Sequence, residues 1–224
     1  MSLTERVAST LAGPREAPAF QFKGEWTTWG EVADLVAGLD REFAAQGLGK
    51  GAAVGCALRN RPPHAAAMIG VVAGERCLVT FNALSPDDKL AEDVRAARVP
   101  VLIAAAEDWR RPALIEAAAA TGAVGLSLTD DPAQPLAVVP GLERPGPGPH
   151  LEPQPGIAIL MLTSGTTGKP KRVPLKLAVL ERQLDEAAGG QRHGKPGEAA
   201  PIIAPGVGIM SGSLVHIGGV WGVL

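Results

Sequence analysis

Tyrosine is missing from this chain of 224 residues, and the other aromatic residues are few, four phenylalanines and four tryptophans. Glycine and proline are plentiful instead, at 28 and 20 residues, a bias that fits a GC-rich coding sequence rather than a function. Cysteine occurs only as Cys56 and Cys77. Two cysteines in apolar runs, without metal-type spacing, exclude a disulfide framework and read as buried thiols of a reducing cytoplasm. Long apolar runs are lacking too. None approaches the roughly 18 residues of a membrane span, and the opening MSLTERVAST has no signal-peptide pattern. The net charge is only −2, which argues against a nucleic-acid partner. The histidines, His64, His150, His193 and His216, have neither metal-ligand nor triad spacing. They read as structural or solvated, so no metal ligand is assigned. No internal repeat is visible.

What the chain does have is an apolar fraction of 46%, ample for a packed core. Its charge is unevenly placed: residues 1–162 carry 14 basic and 19 acidic groups, residues 163–224 carry 7 and 4. Residues 1–25 read as an arm with a short strand, Ala19–Phe22. Thr28 and Glu31 form a capping box for a helix whose apolar face is Val32, Leu35, Val36, Leu39 and Phe43. Buried strands are expected at Ala52–Leu58, Cys77–Phe81, Val101–Ala104 and Val124–Leu128. Between them fall helices from Pro62 towards Gly74, over Asp87–Ala97 and over Pro112–Ala120. Short apolar strands alternating with helices predict an α/β fold with a largely parallel sheet flanked by helices. The stretch Asp130–Pro155 holds eight prolines and reads as a wrapped connector with one edge strand, Leu136–Val139. The expected division is therefore an α/β subdomain at 1–128, a connector at 129–155 and a second, truncated subdomain at 156–224. A helix Leu177–Ala188 and a strand Pro201–Ala204 are expected in that last part.

The most telling stretch runs from Ile157 to Leu175, IAILMLTSGTTGKPKRVPL. A strand of six apolar residues, Ile157–Leu162, leads into a loop with four hydroxyls (Thr163, Ser164, Thr166, Thr167) and two glycines (Gly165, Gly168). Lys169, Lys171, Arg172 and Lys176 follow, and no acid intervenes. Glycines let backbone N–H groups converge on one anion, hydroxyls add neutral donors, and lysines add point charges suited to phosphate. The loop is built to hold a polyphosphate. It is not the common P-loop: Thr163 stands where that motif needs glycine, and Pro170 where it needs Ser or Thr. Gly206-x-Gly208-x-x-x-Gly212 likewise misses the dinucleotide spacing by one.

The string TSGTTGKPK resembles the phosphate loop of the adenylate-forming superfamily, which includes acyl- and aryl-CoA synthetases, luciferases and peptide-synthetase adenylation domains. Weaker matches follow in order: WTTWGEVADLV, the strand ending in Asn60, the helix at Ala67–Gly74, and LVTFNALSP. Together they resemble the first half of an acyl-CoA synthetase over residues 26–212. The resemblance implies the N-terminal portion of the adenylate-forming fold, with ATP, Mg2+ and coenzyme A as co-substrates and a small carboxylic acid as partner. It places Thr163, Ser164, Gly165, Thr166, Thr167 and Gly168 around the β- and γ-phosphates, and gives Lys169 and Lys171 the catalytic task of neutralising leaving-group charge.

There are departures from the pattern. Arg172 stands where the family has glycine, and Leu175-Lys176 replaces a Thr-His pair. The acyl-pocket motif Pro-x-x-His aligns with Pro205-Gly206-Val207-Gly208, so glycine replaces histidine. The substrate pocket is expected at Val207, Gly208 and Met210, with an apolar acid as substrate. The family's later adenine, ribose and lysine segments have no counterpart, and the chain stops on apolar residues. It is expected to be an N-terminal fragment, inactive alone, that needs the remainder of a synthetase or a partner chain, with a homodimer left open. The alternative is a non-catalytic nucleotide-binding or assembly module that docks a partner.

Overall fold

The computed structural model describes residues 1–162, 171–190, 210 and 212–224. The chain opens with helix α1 (Leu3–Leu11), then a hairpin of β1 (Pro18–Phe22) and β2 (Glu25–Thr28). Alternation follows: α2 (Trp29–Ala45), β3 (Ala53–Leu58), α3 (Pro62–Ala73), β4 (Cys77–Asn82), α4 (Asp87–Ala97), β5 (Val101–Ala105), α5 (Pro112–Thr121) and β6 (Val124–Leu128). After β7 (Leu136–Val138) the connector leads to β8 (Ile157–Leu162), β9 (Arg172–Lys176), α6 (Leu177–Gly190) and α7 (Ile217–Val223). The expected strand Pro201–Ala204 lies outside the described residues.

Seven strands form one sheet in the order β7-β6-β5-β3-β4-β8-β9. Strands β3 to β6 and β8 run parallel, while β7 and β9 are antiparallel edges. Every residue of β3 and β5 is buried, as a parallel sheet covered on both faces requires. One core layer joins α2, α3, Leu180 of α6 and Val220 of α7 to Val54, Cys56 and Leu78. The other joins α4 and α5 to Ala53, Ala57, Val79 and Leu102. The result is the mostly parallel, helix-flanked α/β architecture that the alternation predicts.

Local chemistry sets the boundaries. The Thr28 hydroxyl accepts the Glu31 N–H at 3.2 Å, and the Glu31 carboxylate accepts the Thr28 N–H at 2.6 Å, closing the expected capping box. Helix α1 has the same device in Ser2 and Glu5, so the expected arm at residues 1–25 begins with a capped helix. Gly122 ends α5 at φ +71°, where Gly146 of the connector approaches so closely that a Cβ would lie 2.7 Å from its Cα. Only glycine supplies both the left-handed turn and the room.

The connector runs along the amino ends of the strands. Gly146 N–H donates to Gly122 O before β6, Leu151 N–H to Arg98 O before β5, and Gln154 N–H to Gly51 O before β3. Its Val139 and Leu142 are buried. It delivers β8 alongside β4, so strands on both sides of the connector share one sheet. The buried state of Cys56 and Cys77 agrees with the reading of both as buried thiols. Burial pushes the Cys77 thiol up to about 12 and that of Cys56 higher still.

Candidate functional site

Because β8 runs parallel to β4, its carboxyl end opens on the same edge of the sheet as the ends of β3, β4, β5 and β6. That edge is where ligands sit in open α/β sheets. Leu162 at the end of β8 is in register with Arg172 at the start of β9. The hydroxyl- and glycine-rich stretch therefore closes a hairpin at the ligand edge, its ends fixed by adjacent strands. Thr163, Ser164, Gly165, Thr166, Thr167, Gly168 and Lys169 themselves lie outside the described residues, as do Val207 and Gly208.

The cations that follow the loop part company. Lys171 is exposed beside the hairpin end. Lys176 pairs in register with Ile157, at the opposite edge; four residues of strand carry it roughly 13 Å from Arg172. Arg172 turns inward: its Nη1 donates to Thr80 O at 2.9 Å, and its guanidinium stacks 4.7 Å from the centre of the Phe81 ring. Arg172 thus ties β9 to β4 across β8 and is not aimed at the loop. Of the basic run seen in sequence, Lys171 is the described member placed at the loop.

The rest of the edge is fastened by charges that no local pattern announced. Arg59, at the end of β3, forks onto Asp108 at 2.6 and 3.0 Å and reaches Glu107 at 2.9 Å. Asp108 is fully buried, and its hydrogen bonds hold the Arg59 guanidinium above its ordinary pKa. Arg111 donates to Ala83 O and Ser85 O beyond β4 and to Asp87 at the head of α4. Arg59 and Arg111 thereby lock the carboxyl ends of β3, β4 and β5 together. Breaking such a pair by removing one partner strands a buried charge.

Asn60 was singled out in sequence only as the end of a strand. In the structure its Nδ2 donates to Gly212 O at 3.0 Å and its Oδ1 accepts the Leu214 N–H at 2.9 Å. One amide thus holds two backbone groups, Gly212 O and the Leu214 N–H, just past Met210. Met210 is half-buried and faces Gly222, whose added Cβ would lie 3.2 Å from the Met210 Cγ. Leu214 and Val220 are fully buried in the core layer shared with α3. Asn60 escapes sequence reasoning because its partners are more than 150 residues away.

Comparison with known proteins gives this edge a family. The family described as AMP-binding enzyme matches residues 7–224. No curated protein sequence matches. Among solved structures, ATP-bound MatB from Rhodopseudomonas palustris is similar with a TM-score of 0.64 and 17% identity, over 85% of this chain and 38% of that one. O-succinylbenzoate coenzyme A synthetase (MenE) from Bacillus subtilis, in complex with AMP, gives 0.57 and 17% over 99% and 52%. The amide bond synthetase McbA from Marinactinospora thermotolerans gives 0.59 and 26% over 88% and 38%. The chain thus spans between about a third and a half of the length of these neighbours. Among the described residues, no helix is long and apolar enough to cross a membrane. With its family match over nearly the whole length and the fold of the N-terminal part of adenylate-forming enzymes, this chain belongs to the AMP-binding enzyme family.

Proposed function

We propose that this chain is the phosphate-holding part of a ligase that uses ATP to activate an apolar carboxylic acid and then passes the acyl group to the thiol of coenzyme A. The observation that carries the proposal is the TSGTTGKPK stretch closing the β8–β9 hairpin at the carboxyl edge of the sheet. In the first step a carboxylate oxygen attacks the α-phosphorus, the bond to the β-phosphate oxygen breaks, and pyrophosphate leaves. Thr163, Ser164, Gly165, Thr166, Thr167 and Gly168 hold the β- and γ-phosphates through hydroxyl and backbone donors. Lys169 and Lys171 offset the charge that gathers on the leaving group. In the second step the thiol sulfur attacks the acyl carbon, AMP departs, and the thiol proton passes to solvent.

The apolar acid lies against Val207, Gly208 and Met210, a lining that offers nothing to pair an ammonium group. Mg2+ bound to the nucleotide phosphates would supply further charge neutralisation on the leaving group. The proposal assigns it no ligand in this chain.

The test is acid-dependent ATP–pyrophosphate exchange by the enzyme that contains this chain. Removing one preorganised donor typically costs ~3 kcal/mol in the transition state, so Thr166→Ala should slow exchange by about two orders of magnitude. Unchanged exchange would overturn the assignment of the loop. A panel of fatty, aromatic and amino acids, offered with coenzyme A or with amines as acceptor, separates the finer parts. Preference for an amino acid would refute the apolar pocket. Amide in place of thioester would move the second step towards the chemistry named for McbA.

A further inference from the structure

We propose that the chain has a second small-molecule site, distinct from the phosphate loop, which takes an organic cation with an apolar body. A cavity of about 480 Å3 opens between the β1–β2 hairpin, the first turns of α2 and α3, and the loop after β6. That volume is in the range of ligand sites. Its position fits the general rule for open α/β sheets. From β3 the connection through α3 leads to β4 on one side, whereas β5 and β6 lie on the other side, served by α4 and α5 from the opposite face. The carboxyl ends of β3 and β5 therefore flank the switch point, where such sheets bind ligands. The crevice itself is filled by the Arg59, Glu107 and Asp108 ion pairs. The cavity lies beside it, between Arg61-Pro62-Pro63 and Thr129–Pro132. The β8–β9 hairpin stands beyond β4, on the other side of β3.

The lining states what would bind. Trp26, from the hairpin, is 45% exposed, a large apolar ring left in water at the mouth of the cavity, whereas the Lys23 ammonium already stands 5.5 Å from the centre of the neighbouring Phe22 ring. Four carboxylates line it as well: Glu25, Glu31, Asp130 and Asp131. Against them stand Lys23 and Arg61, and Arg61 is already forked onto Glu107 at 3.2 Å. Glu31 and Asp131 are engaged by Thr28 and Ala133 N–H groups. The side-chain carboxylates of Glu25 and Asp130 have no hydrogen bond or ion pair among the described residues. A negative rim around the Trp26 face attracts a weakly hydrated cation and repels a carboxylate or phosphate. A bare metal ion would leave the Trp26 ring unused. An alkyl- or arylammonium compound uses both.

The experiment is calorimetric titration of the full chain with benzyltrimethylammonium, its neutral isostere neopentylbenzene, and phenylacetate. Saturable binding of the cation is expected, with neither of the others binding comparably. The variants Trp26→Leu and Glu25→Gln/Asp130→Asn change exposed positions, and each should weaken the cation about tenfold with the circular dichroism unchanged. Binding should be indifferent to saturating ATP, which separates this site from the adenylating one. No saturable binding of the cation, equal binding of phenylacetate, competition by ATP, or variants that bind as the wild type does would each overturn the proposal.

Discussion

His64 is an unusual buried residue: it is 1% exposed, and neither ring nitrogen has a hydrogen-bond partner among the described residues. It follows Pro62-Pro63 in the first turn of α3, which turns the ring into the core instead of towards water. Burial lowers its pKa from 6.5 to about 4; Asp108 and Glu107 pull the value up, while Arg61 and Arg59 push it further down. The folded chain thus holds the ring neutral at pH values where the unfolded chain has protonated it. Between pH 6.5 and 4 the unfolded state binds more protons, so stability is complete above this window and falls as pH drops through it. The His64 contribution lost between pH 7 and 5 should be about 2 kcal/mol. Urea unfolding of the wild type and of His64→Leu at both pH values checks this. The wild type should lose more stability on acidification than the variant, and equal losses would refute the claim. Spacing alone marks His64 as structural or solvated; the charges of Arg59, Arg61 and Asp108 that act on it come together only in the fold.

The β8–β9 hairpin is the element on which the proposed chemistry depends, and Arg172 is what fastens it. Its guanidinium donates to Thr80 O, reaches Leu160 O at 3.5 Å, and stacks on Phe81. Hydrogen bonds from a charged donor contribute about 1.5–3 kcal/mol. Arg172→Gly, which restores the residue expected from the family pattern, should therefore destabilise the chain by about 2 kcal/mol and speed amide exchange in β8 and β9 above all. Hydrogen exchange resolved by peptide measures it; unchanged protection of 157–162 would show that Arg172 holds nothing. This hairpin also shows how far the sequence could be read. Strands β3 to β6 and the helices between them were legible because continuous apolar runs and helical spacing are local signals. The phosphate-type composition of the loop is contiguous and so can be read from the sequence, but residues 163–170 lie outside the described ones. Strand β9 was not legible, since Pro174 at its centre argues against a strand unless that strand is an edge, and only the sheet reveals that it is one. Helix α1 was passed over although Ser2 and Glu5 carry the same capping signal as Thr28 and Glu31. The Arg59–Asp108 fork and the Asn60 clamp join residues 49 and more than 150 positions apart, and no spacing within one element encodes them.

At the scale of the molecule, α1 joins parts of the chain that the connector separates in sequence. The Leu3 side chain is 1% exposed in the core layer of α2 and α3. Its N–H donates to the Glu181 carboxylate of α6 at 2.8 Å, and the Thr4 hydroxyl donates to Ala73 O at the end of α3 at 2.7 Å. Arg6 adds an ion pair with Asp185. That exposed pair contributes little, by the usual measure of surface ion pairs, so Leu3 is the main anchor. Truncating a buried leucine costs about 2–5 kcal/mol, depending on how far the site can collapse. Leu3→Ala should accordingly lower the urea midpoint, and it should loosen α6 as well as α3, because both rest on α1. The same measurement weighs the division of the chain at the connector. If residues 156–190 and residues 1–128 lose amide protection together in Leu3→Ala, they unfold as one cooperative unit across the shared sheet. If α6 alone loosens, the part beyond the connector is a separable subdomain that α1 holds in place. Protection lost only in residues 1–12, with both helices unchanged, would mean that α1 is an appendage and that the sheet alone carries the second half.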